Sequence, residues 1–404
     1  MSAIRIFFPL IFCCAFFLPI RLPAAKDHPV KCTGAQPYRG PALRTPVSLP
    51  PTRELSPFPS ERFPPDLEQK LSAALDLARI KTGAPALTVA VAVPGRGLWT
   101  ATRTSDPSTE APPLFYWGSA GKAFTAVLIL QLVEEGRLSL DSPIAEWFPD
   151  YPHARFITVD HLLTHTSGIF SFNQDPPHRR QPGYKTPATL IATAQKHGSD
   201  FCPGEAWAYS NTGYVMLGLI VEKLDGHPYA ESVNTRILRR LGLKHTRVLT
   251  AAAPTEDIAP PHPGNPAEVE AGFSPATPFG AGCLAASAED MVRFWQGLLA
   301  GQLLTSTTTE KMFSTLYPMF GQRLSFYGRG VMVTDLPDQP ADIWIGHSGG
   351  FPGIKAEVIY SIPAQAFVAV ALNNDGSAQS IVNLLLKTLR GEAPLPSNPL
   401  ETKR

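Results

Sequence analysis

Trp117-Gly118-Ser119-Ala120-Gly121-Lys122-Ala123-Phe124, followed directly by the apolar run Ala126-Val127-Leu128-Ile129-Leu130, is the stretch on which the reading of this chain turns. Ser119 and Lys122 stand three residues apart, one turn of helix, so the hydroxyl and the amine share a face. The turns that follow have almost no polar face, which predicts a buried helix. A serine and a lysine at the N-terminus of a core helix are out of place unless they do chemistry. A desolvated lysine loses its proton more readily and can then take the proton of a neighbouring serine. The helix N-terminus adds unpaired N–H groups and positive potential for a developing oxyanion.

The rest of the chain sets bounds on that chemistry. Its 404 residues are ample for one large domain or two smaller ones. Net charge is +1, from 35 basic and 34 acidic residues, and charged residues make up only 17%, so no basic field exists to hold nucleic acid. The N-terminus reads as a secretory signal, residues 1–25: Arg5 gives the positive start, Ile6 to Ile20 is apolar, and Leu22-Pro23-Ala24-Ala25 supplies small residues for cleavage. The apolar run is short for a membrane span, so the expectation is a periplasmic or secreted protein with no stable membrane insertion once the signal is removed. Retention of the signal would make it a membrane anchor. Phe12 before Cys13 speaks against a lipid-modified cysteine. Past the signal, Cys32, Cys202 and Cys283 remain, with no metal-ligand spacing. One disulfide is open to them in an oxidising compartment, and the sequence does not choose the pair.

Along the chain, 26–65 is a proline-rich lead-in (Pro46, Pro50, Pro51, Pro57, Pro59, Pro64, Pro65), expected to be extended and poorly ordered. Helical spacing begins at Asp66, with Leu67, Leu71, Ala74, Leu75 and Ala78. Ala86 to Val93, Pro94-Gly95 and Gly97 to Thr100 form a hairpin signal. The stretch 118–299 is mainly helical, with amphipathic segments Asn211 to Leu224 and Glu289 to Leu299. Strands return at Asp342 to Ile345, Lys355 to Tyr360 and Ala366 to Leu372, and Ile381 to Leu389 closes the domain as a helix. Strands at both ends joined by short turns predict one antiparallel sheet lobe (66–117 and 300–392) with a helical lobe inserted (118–299), an α/β (α+β) domain over 66–392 followed by a tail, 393–404.

Two further segments join Ser119 and Lys122. Tyr209-Ser210-Asn211 precedes a helix, and His347-Ser348-Gly349-Gly350 follows a strand. With Ser-x-x-Lys, Tyr-x-Asn and His-x-Gly in that order, the chain resembles the serine penicillin-recognising hydrolases: class C β-lactamases, D-alanyl-D-alanine carboxypeptidases and related esterases and D-amino-acid amidases. Val133 to Asp141, Leu162 to Gly168 and Ala281 to Asp290 resemble the same family, over about residues 66 to 390. The resemblance implies a β-lactamase/transpeptidase-like fold, Ser119 as nucleophile, Lys122 as base, and Tyr209 as proton relay, either as phenolate or through Lys122. Asn211 would hold the substrate amide or Lys122, and His347 would replace the third-motif lysine. Ser348, Gly349 and Gly350 would line the substrate strand, with the N–H groups of Ser119 and Gly350 as oxyanion hole. Gly349 is expected to keep the substrate's approach clear. Two departures bear on substrate: His347 supplies no permanent cation for a β-lactam carboxylate, and Gly121 stands where a hydroxyl residue is common.

Other features read as structure. His161 and His165, four apart on an expected helix, lack the glutamate of a zinc-protease pattern and are assigned packing or surface roles. Trp117 stands where a nucleophile elbow needs glycine. Trp207 and Tyr214 are assigned to packing, with the cleft wall as the alternative. The reading is therefore an exported serine hydrolase, without metal or cofactor. It would act on a small-molecule or peptide substrate, D-alanyl-D-alanine carboxypeptidase-like or D-amino-acid peptidase-like, with a peptidoglycan stem peptide among the candidates. An esterase or weak β-lactamase of the same family is the nearest alternative. A non-catalytic cell-wall-binding relative and an anchored interaction protein are the alternatives of other classes. The sequence leaves oligomeric state open.

Overall fold

The computed structural model describes residues 30–392, apart from 107, 109, 111, 182, 266–273 and 338–340. The signal segment 1–25 and the tail 393–404 lie outside the described residues. The strands are β1 (Ala86–Val93), β2 (Gly97–Thr104), β3 (Phe115–Tyr116), β4 (Thr246–Val248), β5 (Leu284–Ala286), β6 (Tyr317–Pro318), β7 (Ser325–Tyr327), β8 (Met332–Leu336), β9 (Asp342–Phe351), β10 (Ile354–Ser361) and β11 (Ala366–Leu372). Eight of them form one sheet in the order β2-β1-β11-β10-β9-β8-β7-β6, with every pair antiparallel. The two ends of the domain meet in this sheet, one strand in from the β2 edge, where Leu87 lies opposite Leu372 and Ala92 opposite Phe367. This is the β-lactamase/transpeptidase-like fold that the motif order implies. A smaller sheet, β3-β5-β4, pairs β4 and β5 of the inserted lobe with β3, which lies just before it.

Both faces of the large sheet are covered, which is why β1 and β11 read as unbroken apolar runs and not as alternation. The helices used below are α1 (Pro65–Thr82), α2 (Lys122–Glu134), α3 (Val159–Leu163), α4 (Asn211–Asp225), α5 (Ala288–Leu299) and α6 (Ala378–Leu389). Val89, Val91, Val368 and Val370 pack with Leu75 and Ala78 of α1 and Leu385 and Leu386 of α6. Ala90, Ala92, Ala369 and Ala371 on the other face join the core of α2 and α5. Small residues on that face let the bulky Phe294 and Trp295 of α5 seat closely, and both rings are fully buried. Although α5 falls within 118–299, its apolar side therefore covers β1, β10 and β11 of the sheet. From Lys122 to Leu132 every residue of α2 is buried, as its all-round apolar sequence predicts. Among the described residues, no helix is long and apolar enough to cross a membrane.

From residue 30 on, the proline-rich lead-in is docked on the domain, contrary to the expectation of poor order; residues 26–29 lie outside the described residues. Leu55 and Phe63 are buried, the Leu55 carbonyl accepts from Gln296 Nε2, and Phe58 sits 4.0 Å from the Arg293 guanidinium. Proline removes donors without removing apolar surface, so the proline-dense part, 46–65, relies on buried side chains such as Leu55 and Phe63. Cys32 pairs with Cys202, and Cys283 is a buried free thiol.

Candidate active site

Ser119 lies in a single 3-10 turn, Gly118–Gly121, that feeds α2. Gly118 has φ +49°, and a Cβ there would lie 2.8 Å from Gly350 N, so only glycine admits both the turn and the approach of β9. A Cβ at Gly121 would lie 3.2 Å from Leu284 Cδ1 and 3.3 Å from Gly282 Cα. Gly121, where a hydroxyl residue is common, thus reflects tight packing of the turn on β5.

Lys122 is fully buried. Its Nζ lies 2.7 Å from Asn211 Oδ1, 2.6 Å from the Ala281 carbonyl and 3.1 Å from Ser119 Oγ. Burial holds its pKa well below the usual lysine value. Two of the three partners can only accept, while Ser119 can donate. A neutral amine matches this set: two N–H bonds go to Asn211 and Ala281, and the lone pair faces the Ser119 hydroxyl. Asn211 is fixed in that sense because its Nδ2 donates to Asn173 Oδ1 (2.9 Å) and its own N–H to Ser171 Oγ (2.9 Å).

Tyr209 precedes α4, whose N-cap is Ser210, accepting from Gly213 N. The phenol is buried, and its hydroxyl makes no close hydrogen bond. Burial raises its pKa above the usual tyrosine value, and the Ser119 hydroxyl is the one group acting to lower it. Burial therefore favours the phenol form. The Lys122 Nζ lies 4.9 Å from the Tyr209 ring centroid, so amine, phenol and serine share one small volume.

The third motif divides between the two faces of the sheet. His347 lies opposite Val358 and Gly349 opposite Ala356, on the face of α2. His347 is fully buried, and burial beside Lys122 lowers its pKa to about 3. Its Nε2 lies 3.0 Å from Tyr327 Oη and its Nδ1 2.6 Å from the Ser348 carbonyl. Ser348 lies opposite Glu357, which the alternation of a strand puts on the far face; its hydroxyl donates to Met332 Sδ at 3.3 Å. The Ser348 side chain is therefore turned away from Ser119, and what it offers the cleft is backbone. β8 pairs with β9 only up to Gly346, so Ser348, Gly349 and Gly350 run past it beside the Ser119 turn. A Cβ at Gly349 would overlap the Trp117 carbonyl and lie 3.1 Å from Ala120 N. Glycine at 349 is required by the nucleophile turn itself, rather than by the substrate's approach.

Sequence reasoning missed the supporting roles of four residues, Tyr327, Asn173, Ser171 and His165. Tyr327 joins His347 to Tyr214, whose hydroxyl donates to the Leu163 carbonyl at 2.8 Å. Its strand is three residues long, too short for periodicity to single it out. Asn173 and Ser171 hold Asn211 from a loop without motif character. His165 lies beyond the end of α3, at φ +62°, so it does not share a helix with His161. Its ring is 4.2 Å from that of Tyr209, and its Nδ1 accepts from Ser210 N (3.2 Å). Its position inside Leu162 to Gly168 was the available signal. Tyr214 is core, as assigned, while Trp207 packs at 5.2 Å against the exposed Phe320.

One pH dependence follows. Protonation of Lys122 removes its lone pair, so kcat/KM is expected to fall as pH falls. His347, neutral down to about pH 3, is not the group that titrates. His347→Gln is therefore expected to leave the acid limb of the kcat/KM profile in place; loss of that limb in the variant would reassign it to His347.

A nucleophile turn at the head of a buried helix, a buried lysine held by an asparagine, and a glycine-bearing strand define a class of serine hydrolase. Residues 66–387 match the Beta-lactamase family model, and the chain belongs to that family of serine hydrolases. It is 28% identical over 322 residues to Penicillin-binding protein 4* of Bacillus subtilis (strain 168), covering 72% of this chain and 68% of that one. A protein of the same organism named as a penicillin-binding protein, PbpX, is 31% identical over 271 residues; these are 66% of this chain and 63% of its own length, so the chain spans just under two thirds of that relative. Among solved structures, a D-stereospecific amidohydrolase from Streptomyces sp. superposes with TM-score 0.70 at 30% identity, covering 81% of this chain and 99% of that one. The D-amino acid amidase from Ochrobactrum anthropi SV3 gives TM-score 0.73 at 25% identity, with the same coverage.

Proposed function

We propose that the protein hydrolyses amides or esters of D-amino acids through an acyl-enzyme on Ser119. The observation that carries this reading is the fully buried Lys122, whose Nζ lies within hydrogen-bond distance of Ser119 Oγ, Asn211 Oδ1 and the Ala281 carbonyl while burial favours its neutral form. Ser119 Oγ attacks the substrate carbonyl as its proton passes to Lys122. The carbonyl oxygen, becoming anionic, is held by the N–H groups of Ser119 and Gly350. The proton then moves from Lys122 through the Tyr209 hydroxyl to the leaving amine or alkoxide. Water attacks the acyl-enzyme along the same route in reverse. The free edge of β9 at Ser348–Gly350 suits an extended substrate lying antiparallel to it.

The amidohydrolase and amidase resemblances support the D-configuration. A β-lactam is a poor fit, because a neutral His347 offers no charge to its carboxylate. A D-alanyl-D-alanine carboxypeptidase-like or D-amino-acid peptidase-like activity is the finer form of this reading, with a peptidoglycan stem peptide as candidate substrate. Export to the periplasm or medium is part of the proposal; the apolar N-terminus and the Cys32–Cys202 disulfide support it. Protein recovered from that compartment should begin at Lys26 by intact mass.

The test compares D- and L-alanine and D- and L-phenylalanine p-nitroanilides, a D-alanyl-D-alanine peptide and a chromogenic cephalosporin, with wild type and Ser119→Ala. We expect D over L by at least about 10-fold in kcat/KM, little cephalosporin turnover, and no turnover or acyl adduct in Ser119→Ala. Equal rates on D and L substrates, or dominant cephalosporin turnover, would overturn the substrate assignment.

A further inference from the structure

We propose that the segment Cys32–Arg44, outside the part of the chain that matches the family, is a strap that positions Tyr209 across the cleft; this rests on the reading of Tyr209 as proton relay. The Tyr209 hydroxyl makes no close hydrogen bond that would fix its place, and the one group acting on it is the nucleophile Ser119 itself. The ring is held by packing, and its placement is set by the backbone that carries it. That backbone is the irregular loop 202–208. On its inner side Gly204 N and Ala208 N donate to the Thr166 and His165 carbonyls. On its outer side it is held by the strap. Cys32 is bonded to Cys202, Gln36 N donates to the Pro203 carbonyl (2.7 Å), and Arg39 N donates to the Glu205 carbonyl (2.8 Å). Gly204 has φ +86°, and a Cβ there would overlap the Gln36 carbonyl oxygen, so the strap and the loop are in close contact along their backbones.

The strap then crosses to the sheet lobe. The Tyr38 ring sits edge-on to Tyr317 of β6 at 5.0 Å. Arg44 N donates to the Leu316 carbonyl (3.1 Å), and the Arg44 guanidinium makes a bidentate pair with Asp335 of β8 at 2.8 Å for both bonds. The guanidinium is 13% exposed, and a planar two-point contact of this kind fixes orientation as well as distance. One end of the strap thus grips the loop bearing Tyr209. The other grips the strands around Tyr327, which holds His347. Its span sets the separation of the phenol from the sheet side of the site, where displacement by about 1 Å costs about 100-fold in rate.

The test uses p-nitrophenyl acetate turnover by the mature chain, which requires acylation and deacylation at Ser119 but no D-amino acid, so its outcome is separate from that of the substrate proposal. Cys32→Ser/Cys202→Ser and Arg44→Gln are each made in the wild type and in Tyr209→Phe. Arg44→Gln leaves the disulfide intact and keeps the test open if the cysteine variant does not fold. In the wild type, each is expected to lower kcat by about 5- to 20-fold with KM within about twofold. In Tyr209→Phe, where the relay is already gone, the same changes are expected to cost less than about twofold. Equal losses in both backgrounds would mean a general effect on the fold, and no loss in the wild type would mean an inert tether; either result overturns the strap.

Discussion

Lys122→Met is expected to lower kcat/KM on every amide or ester substrate by about 10³- to 10⁴-fold, with the folded structure retained. The reason is the allocation of hydrogen bonds around Nζ. In the neutral amine that the proposed mechanism requires, Asn211 Oδ1 and the Ala281 carbonyl take two N–H groups, and the lone pair is left for the Ser119 hydroxyl, 3.1 Å away. Methionine fills a similar volume but accepts a proton from nothing, so Ser119 would have to attack as a neutral hydroxyl. The fold should tolerate the change because two effects oppose each other. The Asn211 and Ala281 acceptors lose a donor, at about 1–3 kcal/mol each, while the cost of keeping an amine in a fully buried site disappears. Steady-state kinetics with a p-nitrophenyl ester, beside a thermal melt, reads both. Retention of more than a tenth of wild-type activity in a folded variant would remove Lys122 from the role of base.

Gly349→Ala is the second large effect. Adding one methyl group should reduce kcat/KM by at least about 100-fold and destabilise the fold by about 1–3 kcal/mol. The new Cβ would overlap the Trp117 carbonyl and crowd Ala120 N at 3.1 Å. Neither neighbour can turn away. The Trp117 ring is fully buried, and its Nε1 donates to the Ala286 carbonyl at 3.0 Å. Ala120 is fully buried. Relief must come from parting β9 from the Ser119 turn, which also parts the two N–H groups assigned to the oxyanion. Labelling of Ser119 by a fluorophosphonate, compared with denaturant unfolding, distinguishes a lost oxyanion hole from a lost fold. A folded Gly349→Ala that labels at the wild-type rate would refute the close apposition of these segments.

Much of the site was legible because its chemistry is local. Ser119 and Lys122 depend on helical spacing and on an apolar run long enough to bury the amine. Tyr209 and Asn211 depend on a helix start, and Gly349 and Gly350 on a strand that ends in small residues. The antiparallel sheet followed from two apolar runs joined by short turns at either end of the chain. The supporting groups were not legible. Tyr327, Asn173 and His165 carry no periodicity of their own, and each gains its role from a neighbour distant in sequence. The direction of Ser348 was also hidden, because a motif gives residue order and not which face of the strand each residue takes.

The sequence by itself determined the family, the order of the catalytic motifs and the placement of a lysine where water cannot keep it charged, since these follow from residue type and short spacing. Tertiary structure alone decided which acceptors neutral Lys122 meets, that Gly349 yields to the Trp117 carbonyl, that Cys32 pairs with Cys202, and that a proline-rich segment is docked across the cleft. The physical reason is range. Propensity, burial pattern and local hydrogen bonding act over a few residues, whereas these contacts join segments as much as 291 residues apart, as Arg44 and Asp335 are, and exist only once the sheet has brought them together.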